Sequence, residues 1–529
     1  MPVLHINQLR YQFDNGDVLF EAFSCSLTDK RVGLVGRNGA GKSLLTELIL
    51  GEREPSKGKV VFTLPQSKVG RFQQLPSTLL ESSQTLAEFL GIDGVLHALV
   101  QIEAGCCEPH WFEVVGEQWT LRESLLEQLA ALKLPDDTDF PCCQLSGGQL
   151  TRLQLWRLFN ADTELLILDE PSNHLDAEGK QWLQQAMRSY AGHILLISHD
   201  RELLNEMETI WELSASGVTA YGGNYQHYAQ QKALTVNALE RQMDALRKQQ
   251  KKLEAQAQLS FEKAQQRASQ GNKVRASGGQ PKILLNAKRN SATSAASARA
   301  KNEQHRRESL SSKAKALQDK YQSHKAQKLH IAAGQTRNGS LAVISQGQLP
   351  FGDAGPVNFA VSQGMKIQLV GRNGSGKSTL LKVLDGCLAL EEGERRLSVP
   401  TYYLDQHFGA LNAAQTVLGS ILDSVAGVTE SDARTLLAGI GFRRDSVHRK
   451  VGVLSGGERM KLAMIIATQQ RPSPLLLLDE PDNHLDIESK QILAAALHDY
   501  TGTLILVSHD PVFVEECGIT QQFQLQLTR

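Results

Sequence analysis

The sequence predicts an α/β protein built from two copies of one domain, joined by a basic α-helical hairpin, and three observations carry that reading. The first is a pair of loops, Gly36-Arg37-Asn38-Gly39-Ala40-Gly41-Lys42-Ser43 and Gly371-Arg372-Asn373-Gly374-Ser375-Gly376-Lys377-Ser378, both of the form G-x-x-x-x-G-K-[ST]. The second is a set of further motifs that follows each loop in the same order. The third is a strongly basic middle segment with helical periodicity.

Each loop follows a short apolar stretch, Arg31 to Val35 and Lys366 to Val370, and opens a Leu-rich helical segment. In that strand–loop–helix context the glycines let successive backbone N–H groups turn toward phosphate oxygens at a helix N-terminus. The lysine brings a mobile positive charge to the outer phosphates, and the serine hydroxyl suits Mg²⁺. The candidate nucleotide-binding residues are therefore Gly36, Asn38, Gly39, Gly41, Lys42, Ser43 and Leu44 in one copy. In the other they are Gly371, Asn373, Gly374, Gly376, Lys377, Ser378 and Thr379.

The repeat continues downstream. Leu145-Ser146-Gly147-Gly148-Gln149 returns as Leu454-Ser455-Gly456-Gly457-Glu458. An apolar run ending in Asp169-Glu170 returns ending in Asp479-Glu480. Pro171-Ser172-Asn173-His174-Leu175-Asp176 returns as Pro481-Asp482-Asn483-His484-Leu485-Asp486, and Ser198-His199-Asp200 as Ser508-His509-Asp510. From aspartate to histidine there are 30 positions in both copies. Asp169 and Asp479 end buried strands, where a carboxylate can hold Mg²⁺. Glu170 and Glu480, one residue on, suit polarisation of an attacking water. Gln74 to Leu145 spans 71 positions against 48 from Gln406 to Leu454, so the first copy carries about 23 extra residues, enough for a small helical addition.

Residues 231–330 hold 22 Lys/Arg and 7 Asp/Glu, although the whole chain carries a formal charge of −1. Leu239, Met243, Leu246, Gln250, Leu253 and Ala257 recur at spacings of 4 and 3, a helical seam. Gly271, Gly278, Gly279 and Pro281 are expected to break that helix, and a second helical stretch follows from about Ile283 to Gln327. The hairpin is expected to be about 50–60 Å long. The expected domains are residues 1–229, 230–335 and 336–529. No run reaches about 18 apolar residues, which argues against a transmembrane helix. The first ten residues lack the pattern of a secretory signal, and the seven cysteines form no paired CxxC, so metal clusters are disfavoured and a cytoplasmic setting is expected.

Leu-Ser-Gly-Gly beside a phosphate loop resembles the ATP-binding cassette superfamily across both domains. The resemblance implies two cassettes facing head to tail as an intramolecular dimer within a monomeric chain, hydrolysing Mg²⁺-ATP. It pairs Lys42 with Ser455 and Gly457, and Lys377 with Ser146 and Gly148. It also implies that Gln74 and Gln406 contact Mg²⁺ and the water, that His199 and His509 touch the γ-phosphate, and that the loops of Asp176 and Asp486 cross the interface. Tyr11 stands 25 residues before Gly36, where the superfamily places an aromatic that stacks on adenine; packing at the domain edge is the other reading. The second copy has no tyrosine there, with Phe351 the possible substitute.

Two cassettes in one chain, a basic linker, the Pro-Ser-Asn-His-Leu-Asp and Pro-Asp-Asn-His-Leu-Asp variants, and Tyr221-Gly222-Gly223-Asn224-Tyr225 resemble the ABC-F family. That resemblance implies a factor that regulates or rescues translation, its linker directed at ribosomal RNA and P-site tRNA. Some members of the family protect against ribosome-targeting antibiotics. The linker charge suits RNA phosphate; a solvated helical spacer is the plainer alternative. The ATP-binding subunit of a membrane transporter and a DNA-repair ATPase are the competing functions.

Overall fold

The computed structural model describes residues 2–73, 84–173, 175–276, 301–302, 304–315, 317, 339–352, 355–372, 374–405, 408–442, 444–470, 472–483 and 485–525. It divides into two compact units, Met1–Gln226 with Gln327–Arg529, and His227–Ala326. Both copies of the repeat lie in the first unit, the basic segment in the second.

The first copy begins with β1 (Leu4–Gln12), β2 (Val18–Leu27), β3 (Arg31–Gly36), β4 (Lys57–Phe62) and β5 (Val69–Phe72), and continues with β6 (Leu165–Asp169), β7 (His193–Ile197), β8 (Thr209–Ser214) and β9 (Gly217–Gly222). The order β5-β6-β7-β3-β8 is parallel, with β9 antiparallel at the edge. A small antiparallel sheet, β2-β1-β4, packs with it. Leu165, Leu166, Ile167 and Leu168 are fully buried. That explains why this strand reads as an unbroken apolar run, for both faces of a parallel sheet are covered.

The second copy repeats the plan with β10 (Ser340–Gln348), β11 (Val357–Ser362), β12 (Lys366–Val370), β13 (Glu392–Leu397), β14 (Thr401–Leu404), β15 (Leu475–Asp479), β16 (Leu504–Val507) and β17 (Gln521–Gln524). Its parallel order is β14-β15-β16-β12-β17. In both copies the cation that opens the loop-bearing strand closes the end of a helix. Arg31 donates to the carbonyls of Met187, Gly192 and Tyr190 at the end of the helix Ala177–Ser189. Lys366 Nζ donates to those of Leu497 (2.8 Å) and His498 (2.7 Å) at the end of Ile487–Asp499. Terminal carbonyls left without intrahelical partners are thus satisfied.

The extra residues of the first copy form the helices Asp93–Glu103 and Pro109–Val115, around a satellite core of Ala98, Leu99 and Val115. The corresponding stretch of the second copy holds Val417–Ser424 and Glu430–Gly439.

In the second unit one helix runs from Tyr225 to Ala276, 52 residues. At 1.5 Å per residue it is about 78 Å long, so the expected 50–60 Å is too short. Gly271 does not end it: one glycine costs a helix only about 1 kcal/mol, which flanking helix formers absorb. Between Leu239 and Ser260, the six seam residues are the half-buried ones and all others are exposed. On the second limb, Leu310, Ala314 and Leu317 form a matching half-buried stripe. The tip residues from Gly278 to Arg289 and most of the expected second helix lie outside the described residues.

Candidate nucleotide site

Among the described residues, the phosphate loops, the Asp-Glu pairs and the histidines sit at the carboxyl ends of parallel strands, while the signature serines and Asp176 and Asp486 open helices. The loops after β3 and β12 lead into the helices Lys42–Leu50 and Lys377–Asp385, capped by Gly41 (φ 92°) and Gly376 (φ 97°) in the left-handed region. A Cβ on Gly41 would also lie 2.5 Å from Leu19 Cδ2, so the position is closed to other residues twice over. Lys42 Nζ donates to the Gly36 carbonyl at 2.9 Å, and Lys377 Nζ to that of Gly371 at 2.8 Å, which holds each ammonium over its loop. Burial lowers the pKa of both lysines, against the raising fields of Glu170, Asp486 and Asp169 on one and Glu480, Asp479 and Asp176 on the other. Ser43 and Ser378 are exposed on the open side of the loops. Leu44 packs on the core of the first copy and Thr379 is half-buried.

Glu170 and Glu480 carry left-handed backbone, φ 50° and 49°, uncommon for a non-glycine residue. Their N–H groups donate to Ile197 (2.8 Å) and Val507 (2.9 Å), the last residues of β7 and β16. That bond turns the chain sharply and sets each carboxylate beside the next loop. His199 Nε2 lies 3.6 Å from Glu170 Oε1, and His509 Nε2 lies 3.6 Å from Glu480 Oε1. Burial pushes Glu170 up to about 7 and raises Glu480. Burial, then the field of the loop lysine, holds His199 well below its ordinary value; burial, then Lys377 and Lys180, holds His509 down to about 4. Both rings are therefore neutral at pH 7, able to donate one hydrogen bond.

The signature residues Ser146 and Ser455 cap the helices Gly147–Phe159 and Gly456–Gln469 in full capping boxes with Gln149 and Glu458. Ser146 and Gly148 of the first copy line one cleft of about 240 Å³ together with Glu480 and His509 of the second. Glu170 and His199 of the first copy line the same cleft, and neither Lys42 nor Lys377 does. Ser455 and Gly457 lie outside this cleft. On their side the copies are joined otherwise: Asp486 Oδ2 accepts the Asn38 N–H at 2.8 Å, and Arg37 forms a bidentate pair with Glu488 at 2.7 and 2.8 Å. Asp176, the counterpart of Asp486, accepts a bond from Arg152 of its own copy and lines a cleft with Glu178 against Arg372 and Lys377 of the second copy; Asn373, the counterpart of Asn38, lies outside the described residues. Burial opposes ionisation of both aspartates, but the N–H groups of Gly179 on one and of Asn38 and Ser489 on the other prevail and lower their pKa. Arg201 and Glu516 form a further ion pair between the copies, at 2.6 Å.

The donor set fits a hard divalent cation. Oδ1 of Asp479 and Oε1 of Glu170 are buried without a hydrogen-bond partner among the described residues, and the Ser43 hydroxyl bonds Asp169. Ser43 with Asp169, and Ser378 with Asp479, would hold the ion, which would neutralise phosphate charge. Gln74, Gln406 and Asn373 lie outside the described residues.

Sequence reasoning misplaced one residue and missed another. Tyr11 is 9% exposed, packed in the core of the small sheet, its hydroxyl accepting a bond from Arg53 at 2.9 Å. The exposed ring is Phe13, 40% exposed and edge-on to Tyr11 at 5.4 Å. The two copies align through a shared backbone irregularity. Gln8 and Gln346 both have φ 48°, and their carbonyls stand where a Cβ on Gly58 or Gly393 would be, at 2.3 and 2.4 Å. Counting from there, Tyr11 matches buried Leu349, and Phe13 matches Phe351, 66% exposed. Counting back from the phosphate loop missed this because the copies differ in length between the strand and the loop. The second residue, Tyr403, was not anticipated: from the strand beside β15 its hydroxyl donates to Asp479 Oδ2 at 3.0 Å. Arg71 occupies that place in the first copy and pairs with Glu52.

The comparisons with known proteins agree with this geometry. The family model described as "ABC transporter" matches residues 23–173 and 354–483, more than half of the chain. "Putative ATP-binding protein YdiF" of Bacillus subtilis (strain 168) is 30% identical, over 97% of this chain and 78% of that protein. "ABC transporter F family member 5" of Arabidopsis thaliana is 30% identical over 92% and 70%. "Energy-dependent translational throttle protein EttA" of Mycobacterium tuberculosis (strain ATCC 25618 / H37Rv) is 30% identical over 92% and 84%. Among solved structures, the complex of archaeal ribosomal stalk protein aP1 and archaeal ribosome recycling factor aABCE1 superposes over 98% of this chain and 87% of that one, with a TM-score of 0.51 and 17% identity, a likeness of fold. The fold and site define a tandem ATP-binding cassette protein. The chain belongs to the ABC-F family. Among the described residues no helix is long and apolar enough to cross a membrane.

Proposed function

We propose that the chain is a Mg²⁺-dependent ATPase that closes its two cassettes around ATP and acts on the ribosome through its basic linker, regulating or rescuing translation. The observation that carries this reading is the reciprocal contact between copies: the Ser146 helix shares a cleft with Glu480 and His509, and the Asp486 loop binds the phosphate loop at Asn38. Triphosphate bound at the phosphate loops beside this cleft would be held by Lys42 or Lys377, with Glu170 or Glu480 orienting water and the neutral histidine donating to the outer phosphate. Such phosphoryl transfer needs placement and charge stabilisation above all.

The ribosome enters from two directions. Relatives include a protein named a translational throttle, and residues 231–330 carry a net charge of +15, matched to RNA phosphate. Glu170→Gln with Glu480→Gln leaves binding intact and removes hydrolysis, so the double variant is expected to stay closed on ATP and to co-sediment with ribosomes. Loss of ATP turnover by a factor of 100 or more is expected, an order of magnitude set by losing a catalytic base. A double variant that binds ATP but stays in the ribosome-free fractions would defeat the ribosomal part. Full turnover by that variant would defeat the catalytic assignment.

A further inference from the structure

Beside the two histidine loops, lining the same cleft between the copies, lies a buried cluster of charge to which the ATPase reading assigns no role. Lys180, on the helix Ala177–Ser189, is held between copies. Its Nζ is 2.8 Å from Asp200 Oδ2 in its own copy and donates at 3.2 Å to the carbonyl of His509 in the other. Asp200 directly follows His199, and its second oxygen caps the helix Arg201–Leu204 through the N–H groups of Glu202 and Leu203. One ammonium therefore grips the loops of both switch histidines. The Lys180 and Asp200 side chains are 13% and 9% exposed, so water does little to screen the contact.

The second copy keeps the lysine and changes its partners. Lys490 lies 3.0 Å from Asp510 and 3.7 Å from Asp482, all three buried. Asp482 replaces Ser172 of the first copy. Its carboxylate adds a second anion within the same copy, although the field of Lys490 still reaches Glu170, His199 and Asp200 of the first. With Ser172 at that place in the first copy, Lys180 has no such second carboxylate within its own copy, and its ammonium reaches the His509 carbonyl.

We propose that Lys180 is a positioning residue that couples the two nucleotide sites, transmitting movement of the His199 loop to the His509 loop. The inference rests on the ATPase reading and deepens it. Phosphate drawn to His199 shifts the loop that Asp200 anchors; the Lys180 ammonium follows, and with it the His509 backbone. Because coupling between binding sites is reciprocal, occupancy of either site changes affinity at the other by the same factor.

The test is nucleotide binding to the full chain carrying Glu170→Gln and Glu480→Gln, so that ATP persists. With Lys180 present, the Hill coefficient is expected to exceed 1, with coupling of about 5-fold or more between sites. Lys180→Gln is expected to bring it to about 1, with mean affinity changed far less. Lys180→Arg, which keeps the charge and reach, should restore part of it. Asp200→Asn attacks the same bridge from its other end without changing shape, and serves if Lys180→Gln lowers the melting temperature sharply. Asp482→Ser is expected to leave the coefficient above 1. Equal coefficients with and without Lys180, cooperative or not, would overturn the proposal. Absence of ATP binding in the unsubstituted chain would instead overturn the ATPase reading itself.

Discussion

Phe13 and Tyr11 differ in what each ring can meet: one is exposed and the other packed in the core. Adenine can stack only on an aromatic whose face reaches solvent. Phe13 and its counterpart Phe351 stand open at the ends of β1 and β10, whereas Tyr11 is enclosed. Phe13→Ala is expected to weaken ATP binding at the first site by about 2- to 10-fold, the scale of one aromatic contact, with little change in melting temperature. Tyr11→Ala is expected to cost about 3 kcal/mol of stability from the cavity it leaves. Fluorescent-nucleotide titration and thermal melts, run on both variants, separate the two; the reverse pattern would return adenine to Tyr11. The switch histidines give a second residue-scale prediction. His509 has a folded pKa of about 4 against about 6.5 unfolded, so the unfolded chain takes up the proton first. Stability is complete above about pH 6.5 and is lost as pH falls toward 4, with about 2 kcal/mol gone between pH 7 and pH 5. Urea unfolding of the parent chain and of His509→Gln at both pH values measures this. A parent that loses no more stability than the variant would show that the ring is not held neutral by burial.

At the scale of elements, the motifs announced the secondary structure because each sits where a strand or helix ends. Apolar runs became β6 and β15, and the Ser-Gly-Gly segments became capped helix starts. What the repeat could not reveal is where the copies part. Arg152 donates to one oxygen of Asp176, and Lys461 stands at the same place in the second copy. A guanidinium and an ammonium present different donor geometries from one position, and spacing carries no trace of that. Tyr403 escaped for a related reason. It lies on a strand with no motif, and only its register opposite Leu477 brings its hydroxyl to the metal carboxylate. The long linker helix was legible in its seam; of the breakers read at its end, Gly271 lies within the helix, whose 52 residues outvote one weak propensity, and Gly278, Gly279 and Pro281 lie outside the described residues.

At the scale of the molecule, a near-neutral chain holds two opposed parts. With +15 in residues 231–330 and −1 in total, the remaining residues carry a charge of −16. On the proposed ribosomal reading, the basic linker would be drawn to RNA and the acidic remainder repelled, so charge would orient the encounter before any fitted contact forms. Binding to ribosomal RNA should then be steeply salt-dependent, because each neutralised phosphate releases condensed counterion. Lys248, Lys251, Lys252 and Lys263 are exposed on the described limb of the hairpin, off the apolar seam, so their replacement by Gln leaves helix and packing intact. Each replaced contact removes about 0.9 from the slope of log affinity against log salt, so the fourfold variant is expected to lose about 3 to 4 in slope. Its ATPase rate without ribosomes should match the parent, since none of the four lysines is among the residues assigned to the nucleotide sites. Filter binding or sedimentation across a salt series reads the slope directly. An unchanged slope would mean that these lysines face water in the bound state and that the linker serves only as a spacer between cassettes.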